Sequence, residues 1–255
     1  MGIAEPSLGS LAVSVRFGRK ELGTATAFVA LSQGRYYLIT NWHVVAGRNP
    51  KTGEVLSETG GVPDRLAVLH HVAKKLGQWQ HHVHDLYDES DNPLWLEHLV
   101  HGRSVDVVAL PIEQPQGTRF FHYDLDRGWP LISFAPSNIV SIIGFPFAIS
   151  GGGGLGVWVQ GTIATEPAVD YWDLPLMLVD SRTRPGQSGS PVVLYRTDGY
   201  VTDDGSTINN HTPAMRLIGV YSGRINEKSD LGLVWKLDAL REIIDGQRRG
   251  ALPGL

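Results

Sequence analysis

Apolar residues along this chain gather in short runs, each closed by Gly, Pro, Asn or Asp. In the first half the runs are LAVSVRF (11–17), TATAFVAL (24–31), RYYLIT (35–40), RLAVLHHV (65–72), WQHHVHDLY (79–87) and DVVALPI (106–112). In the second they are IVSIIGF (139–145), GVWVQGTIAT (156–165), LPLMLVDS (174–181), SPVVLY (190–195), MRLIGVYS (215–222) and GLVWKL (232–237). Segments this short, rich in β-branched and aromatic residues and punctuated by turn formers, predict strands, and about a dozen of them predict an all-β sandwich or barrel pair. One segment has helical periodicity: in LDALREIIDGQ (237–247), Leu240, Ile243 and Ile244 share a face and Asp238 is placed to cap the start. A short helical turn is expected at NWHVVAG, with Asn41 as its cap. The least strand-like stretch, 113–130, is the natural seam, giving halves of 1–120 and 121–255. GGGG at 151–154 predicts a mobile hairpin loop, with contact to a substrate as the alternative.

Composition narrows the classes. A chain of 255 residues, 42% hydrophobic and 19% charged, can bury a sizeable core. The net charge of -4 offers no basic field, so neither nucleic acid nor an anionic membrane is expected as a partner. With no cysteine there is no disulfide framework, thiolate nucleophile or cysteine-ligated zinc, which suits a cytoplasmic protein. The N-terminus lacks a secretory pattern, Pro6 spoils a myristoylation motif, and the apolar stretch at 138–150 is too short to span a bilayer.

Three stretches carry candidate chemistry. LITNWHVVAG places His43 where a strand gives way to a turn, SVDVVALPI places Asp106 at the opening of a strand, and PGQSGSPVV places Ser188 in a glycine-flanked turn. Taken singly, each has an ordinary structural explanation. Together they supply a hydroxyl, an imidazole to take its proton, and a carboxylate to fix the imidazole's tautomer.

In this order and with these flanks, the sequence resembles the chymotrypsin-like, or trypsin-like, serine peptidases. The bacterial branch with glutamyl endopeptidases and heat-shock-type proteases is the nearest in pattern. The resemblance rests on Thr40-Asn41-Trp42-His43-Val44-Val45, on Asp106-Val107-Val108-Ala109-Leu110 and on Gly186-Gln187-Ser188-Gly189-Ser190-Pro191. It implies two six-stranded antiparallel β-barrels with a C-terminal helix, His43 and Asp106 on the first barrel and Ser188 on the second. It further implies catalysis by His43, Asp106 and Ser188, an oxyanion hole made by the N–H groups of Gly186 and Ser188, and a protein or peptide substrate.

Two departures bear on regulation and specificity. Gln187 stands where animal digestive members carry an aspartate that pairs with a newly cut N-terminus, so restraint by a regulatory partner, an effector or loop ordering is expected in place of a zymogen switch. The primary specificity pocket is expected near Arg182 and Thr183, with Ser222, Gly223 and Arg224 forming one wall and Gly232 opposite. Thr183 matches a threonine that contacts acidic side chains in glutamyl endopeptidases, whereas Tyr221 replaces a histidine. A catalytically silent module that binds peptides or acts as a scaffold is the alternative function. His70, His71, His81, His82, His84, His98 and His101 lie between His43 and Asp106, but no fixed metal motif appears and WQHHVHDLY reads as a strand with a polar face. Neither a metal nor a cofactor is expected.

Overall fold

The computed structural model describes residues 2–57, 59–209, 211–226 and 228–251. All twelve predicted segments form strands, with ends displaced by a few residues. The first sheet holds β1 (Ser10–Phe17), β2 (Lys20–Ser32), β3 (Arg35–Thr40), β4 (Arg65–Val72), β5 (Trp79–Asp85) and β6 (Val108–Ile112), in the order β5-β4-β1-β2-β3-β6. Two short strands within the seam, β7 (Thr118–Arg119) and β8 (Tyr123–Asp124), add to β4 and β2, the latter in parallel. The second half contains β9 (Ile139–Gly144), β10 (Val157–Ile163), β11 (Leu176–Ser181), β12 (Pro191–Arg196), a small hairpin of β13 (Tyr200–Val201) and β14 (Thr207–Ile208), β15 (Ala214–Arg224) and β16 (Leu231–Lys236). Six of these close into a barrel in the order β10-β11-β16-β15-β12-β9.

The first half differs from the expected closed barrel: its sheet curls but β5 and β6 do not pair. Leu96 takes the outer edge of β6 instead, exchanging backbone hydrogen bonds of 2.8 and 3.2 Å with Ala109. Two residues further on, Pro111 has no N–H to offer the same edge. The gap is a cleft of about 500 Å³ whose walls include His84, Leu110 and Glu113.

Strand alternation builds three cores. On β2, Ala25, Ala27 and Val29 face the interior of the first sheet, while Phe28 and Ala30 face the core between the halves. On β9, Val140 and Ile142 fill the barrel and Ile143 joins the shared core. The period of two thus serves both an inner and an outer packing surface.

Three α-helices occur among the described residues: α1 (Glu5–Gly9), α2 (Trp42–Ala46) and α3 (Leu237–Gly246). The first has no counterpart in the sequence expectations. The second is the predicted turn, with Asn41 in the cap position, but its side chain makes no capping hydrogen bond; Nδ2 donates instead to Asp106 O at 2.6 Å. The third starts two residues earlier than a cap at Asp238 requires. Lys236 holds the cap position, and Asp238 sits in the first turn, favourable for the helix dipole, 3.5 Å from Arg241. Leu237, Leu240, Ile243 and Ile244 lock α3 into the shared core. Among the described residues no helix is long and apolar enough to cross a membrane.

The glycine run forms a tight turn between the paired strands β9 and β10, with Gly153 and Gly154 at φ 70° and 76°. The Trp79 indole N–H donates to Gly153 O at 2.7 Å, so this loop of the second half is tied to β5 of the first.

Candidate active site

The turn α2 ends β3, and its left-handed Gly47 (φ 62°) returns an N–H to His43 O at 2.9 Å. This turn presents His43 to Asp106, which opens the segment leading into β6. His43 Nδ1 lies 2.7 Å from Asp106 Oδ2, and the His43 backbone N–H donates to Oδ1 at 2.9 Å. The carboxylate therefore grips both the ring and the main chain of one residue. Burial alone lowers the His43 pKa, but the charge and hydrogen bond of Asp106 outweigh it and leave the imidazole raised above its ordinary value. Ser222 Oγ, from β15, donates to Asp106 Oδ2 at 2.5 Å. Ser222 was expected only as a pocket wall; its hydroxyl also holds Asp106. Behind the turn, the Trp42 and Trp95 indoles both donate to Oε1 of buried Glu97, at 2.9 and 3.1 Å.

Ser188 and His43 line one cleft of about 160 Å³, together with Val15, Leu22, Val44, Leu56 and Pro63. Ser188 Oγ donates to Ser222 O at 3.0 Å. The loop that carries it needs two glycines in the left-handed region: Gly186 at φ 95° and Gly189 at φ 85°. A Cβ on Gly186 would stand 2.4 Å from Phe145 O, and one on Gly189 only 2.1 Å from Thr26 O.

Sequence reasoning missed Thr26, the residue that joins this loop to the first half. Its N–H donates to Ser188 O at 2.9 Å, its hydroxyl donates to Gly186 O at 2.8 Å, and the same oxygen accepts the Phe145 N–H at 3.1 Å. Thr40 Oγ1 in turn donates to Thr26 O at 2.9 Å. A threonine inside an apolar strand run was the available signal, since a fully buried hydroxyl requires partners.

Of the expected pocket residues, Thr183 and Tyr221 meet: both are buried and their hydroxyls are hydrogen-bonded to each other. Burial pushes the Tyr221 phenol up to about 12, against the opposing effects of the Thr183 bond and of nearby Arg224 and Arg184. The Tyr221 ring lies against Gly232, where a Cβ would stand 2.6 Å from Cε2. Ser222, Gly223 and Arg224 continue β15 beside it. Arg182 stands apart, its side chain 85% exposed and 4.0 Å from Asp230. Gln187 is buried, and its Oε1 accepts the Arg184 N–H at 2.9 Å.

The seven histidines between His43 and Asp106 divide. His70, His82 and His84 cluster on one face of β4 and β5, His81 is exposed on β5, His71 stacks on Trp79, and His98 and His101 lie together at another place.

No protein-family profile matches the chain, and no curated protein is similar enough to count as a relative. Solved structures share its architecture. The Rv3671c protease from M. tuberculosis in its active form matches at 15% identity and a TM-score of 0.50, over 98% of this chain and 87% of that one. A serine endoprotease from Yersinia pestis matches at 13% and 0.52, over 96% and 66%. A thermostable serine protease, AL20, from an extremophilic microorganism matches at 12% and 0.52, over 94% and 97%. The closed barrel, the curled half-barrel beside it and the C-terminal helix define the class: the chain has the chymotrypsin-like, or trypsin-like, serine protease fold.

Proposed function

We propose that the protein is a serine endopeptidase, with Ser188 as nucleophile, His43 as general base and acid, and Asp106 as the group that orients His43. The observation that carries this reading is the 2.7 Å contact between His43 Nδ1 and Asp106 Oδ2, in a cleft that Ser188 also lines. In the reaction, Ser188 Oγ leaves the Ser222 carbonyl, gives its proton to His43 Nε2 and adds to the scissile carbonyl. His43 then protonates the departing amine as the C–N bond breaks, leaving an ester on Ser188, and water repeats the sequence to release the acid. The N–H groups of Gly186 and Ser188 hold the oxyanion in this reading, each donor contributing on the order of 100- to 1000-fold in rate.

The buried pair Thr183 and Tyr221, with Arg184 and Arg224 close to it, favours a substrate carrying Asp or Glu before the cut. Control by a regulatory protein or effector belongs to the same reading. Gln187 is an amide that cannot pair with a new N-terminus as an aspartate would. Full-rate cleavage of unfolded protein by the purified chain with nothing added would remove that part.

One observation favours a second reading, a silent peptide-binding or scaffolding module: the Ser188 hydroxyl donates to Ser222 O. A fluorophosphonate probe, read by intact mass on wild type and Ser188→Ala, separates the two. One adduct on the wild type and none on the variant is expected for the peptidase. No adduct on either, with or without candidate activators, would leave the silent module.

A further inference from the structure

The cluster on β4 and β5 is unused by the proposed reaction. His70 is fully buried, and its Nε2 lies 3.0 Å from Nε2 of His84. The His82 ring centroid is 5.9 Å from that of His70. His82 Nε2 and His70 Nδ1 are buried with no hydrogen-bond partner among the described residues. Only His82 Nε2 bears on an ion between the rings, because Nδ1 of His70 points away from the Nε2 that faces His84; an orphaned, buried ring nitrogen is costly unless something occupies it. Two facing Nε2 atoms satisfy only one proton between them, yet each can offer a lone pair to a cation.

The spacing has the dimensions of a chelate. A Zn–N bond is about 2.0–2.1 Å, so an ion bound equally by two nitrogens at this separation subtends an angle of roughly 90°. His84 also lines the cleft between β5 and β6, which gives an ion a path in and room for water ligands. Among the described residues no group of three or more His, Asp or Glu side chains converges as a ready metal cage. The preformed part is therefore the facing pair, and completing it requires His82 to turn or water to enter.

We propose that His70 and His84 form a site for a divalent transition-metal ion of the zinc class, with His82 as third donor and water from the cleft completing the shell. Imidazole donors without thiolates or carboxylates suit zinc, nickel and copper and not calcium or magnesium. The ion cross-links β4 to β5, the free edge of the half-barrel, at the strand whose Trp79 reaches the glycine loop of the second half. The site is separate from the peptidase reading and stands or falls apart from it.

Titration of ZnCl2 into metal-stripped Ser188→Ala protein tests the site by calorimetry and thermal unfolding, free of self-cleavage. One equivalent should bind with micromolar affinity and raise Tm with metal concentration. His84→Ala, at a half-buried position that should keep the fold, should weaken binding by about tenfold or more, while His101→Ala should not. Circular dichroism establishes that His84→Ala is folded; should it unfold, His82→Ala serves in its place with the same expectation. Absence of saturable binding, or binding that folded His84→Ala protein leaves intact, would overturn the proposal.

Discussion

The hydroxyl of Thr26 donates to the carbonyl of Gly186 at 2.8 Å, across the seam between the half-barrel and the barrel. The peptide unit held this way lies two residues before Ser188. Thr26→Val removes the hydroxyl at nearly constant volume and leaves Gly186 C=O and Phe145 N–H unpaired in a buried place. The cost should be about 1–3 kcal/mol for each group left unsatisfied. The variant should fold with a lowered denaturation midpoint and lose much more in kcat than in KM. Unchanged kcat would show that the Ser188 loop keeps its shape without this tie.

Much of this arrangement was legible in the sequence, and the part that was not has a common cause. Turn formers and strand alternation mark local events, so β3 at Arg35–Thr40 and β4 at Arg65–Val72 match the predicted runs to the residue. His43, Asp106 and Ser188 stand in locally recognisable settings. Thr26, Ser222 and Glu97 act through partners remote in sequence, Gly186, Asp106 and Trp42, and no local pattern announces such pairs. The open edge of the first sheet is likewise a tertiary event, since it depends on Leu96 reaching Ala109 before β5 can close on β6.

Gly189 gives a sharper test of the loop. Its φ of 85° is unfavourable for any side chain, and a Cβ there would meet Thr26 O at 2.1 Å and Thr40 Oγ1 at 2.5 Å. Gly189→Ala should therefore displace β2 from the Ser188 loop and abolish probe labelling. Gly153 has a φ of 70° but open space around it, so Gly153→Ala should cost only backbone strain, about 1–2 kcal/mol. Labelling rates and urea midpoints for the two variants distinguish backbone strain from steric conflict. Equal losses would show that strain alone governs the loop.

If the proposed reaction holds, the His43–Asp106 pair sets its pH dependence. General-base catalysis needs neutral His43, and its pKa is raised because the Asp106 charge and hydrogen bond outweigh burial. The acid limb of kcat/KM should accordingly have its midpoint above about 6.5, the ordinary histidine value, with activity lost as pH falls through it. For stability the sign is opposite. A raised folded-state pKa contributes stability that is full below about 6.5 and is lost as pH rises through the folded value. A kcat/KM profile with a midpoint well below the ordinary value would show that burial wins over Asp106.

In the proposed reading, specificity would turn on the buried hydroxyl pair Thr183 and Tyr221. If these groups and the neighbouring Arg184 and Arg224 receive a carboxylate, peptides with Glu or Asp before the cut should be preferred in a library cleaved by wild type. Thr183→Val keeps the shape but leaves Tyr221 without its hydroxyl partner, so it should lower kcat/KM for acidic peptides and leave aliphatic ones nearly unchanged. Loss of one charge-assisted bond, about 1.5–3 kcal/mol, corresponds to roughly 10- to 150-fold. Gly232→Ala drives a methyl to within 2.6 Å of the Tyr221 ring and should abolish that preference by displacing the phenol. Arg182→Ala should do little, because its side chain is 85% exposed beside Asp230. A wild-type library cut after Leu or Lys, with no acidic preference, would assign Thr183 and Tyr221 to structure alone.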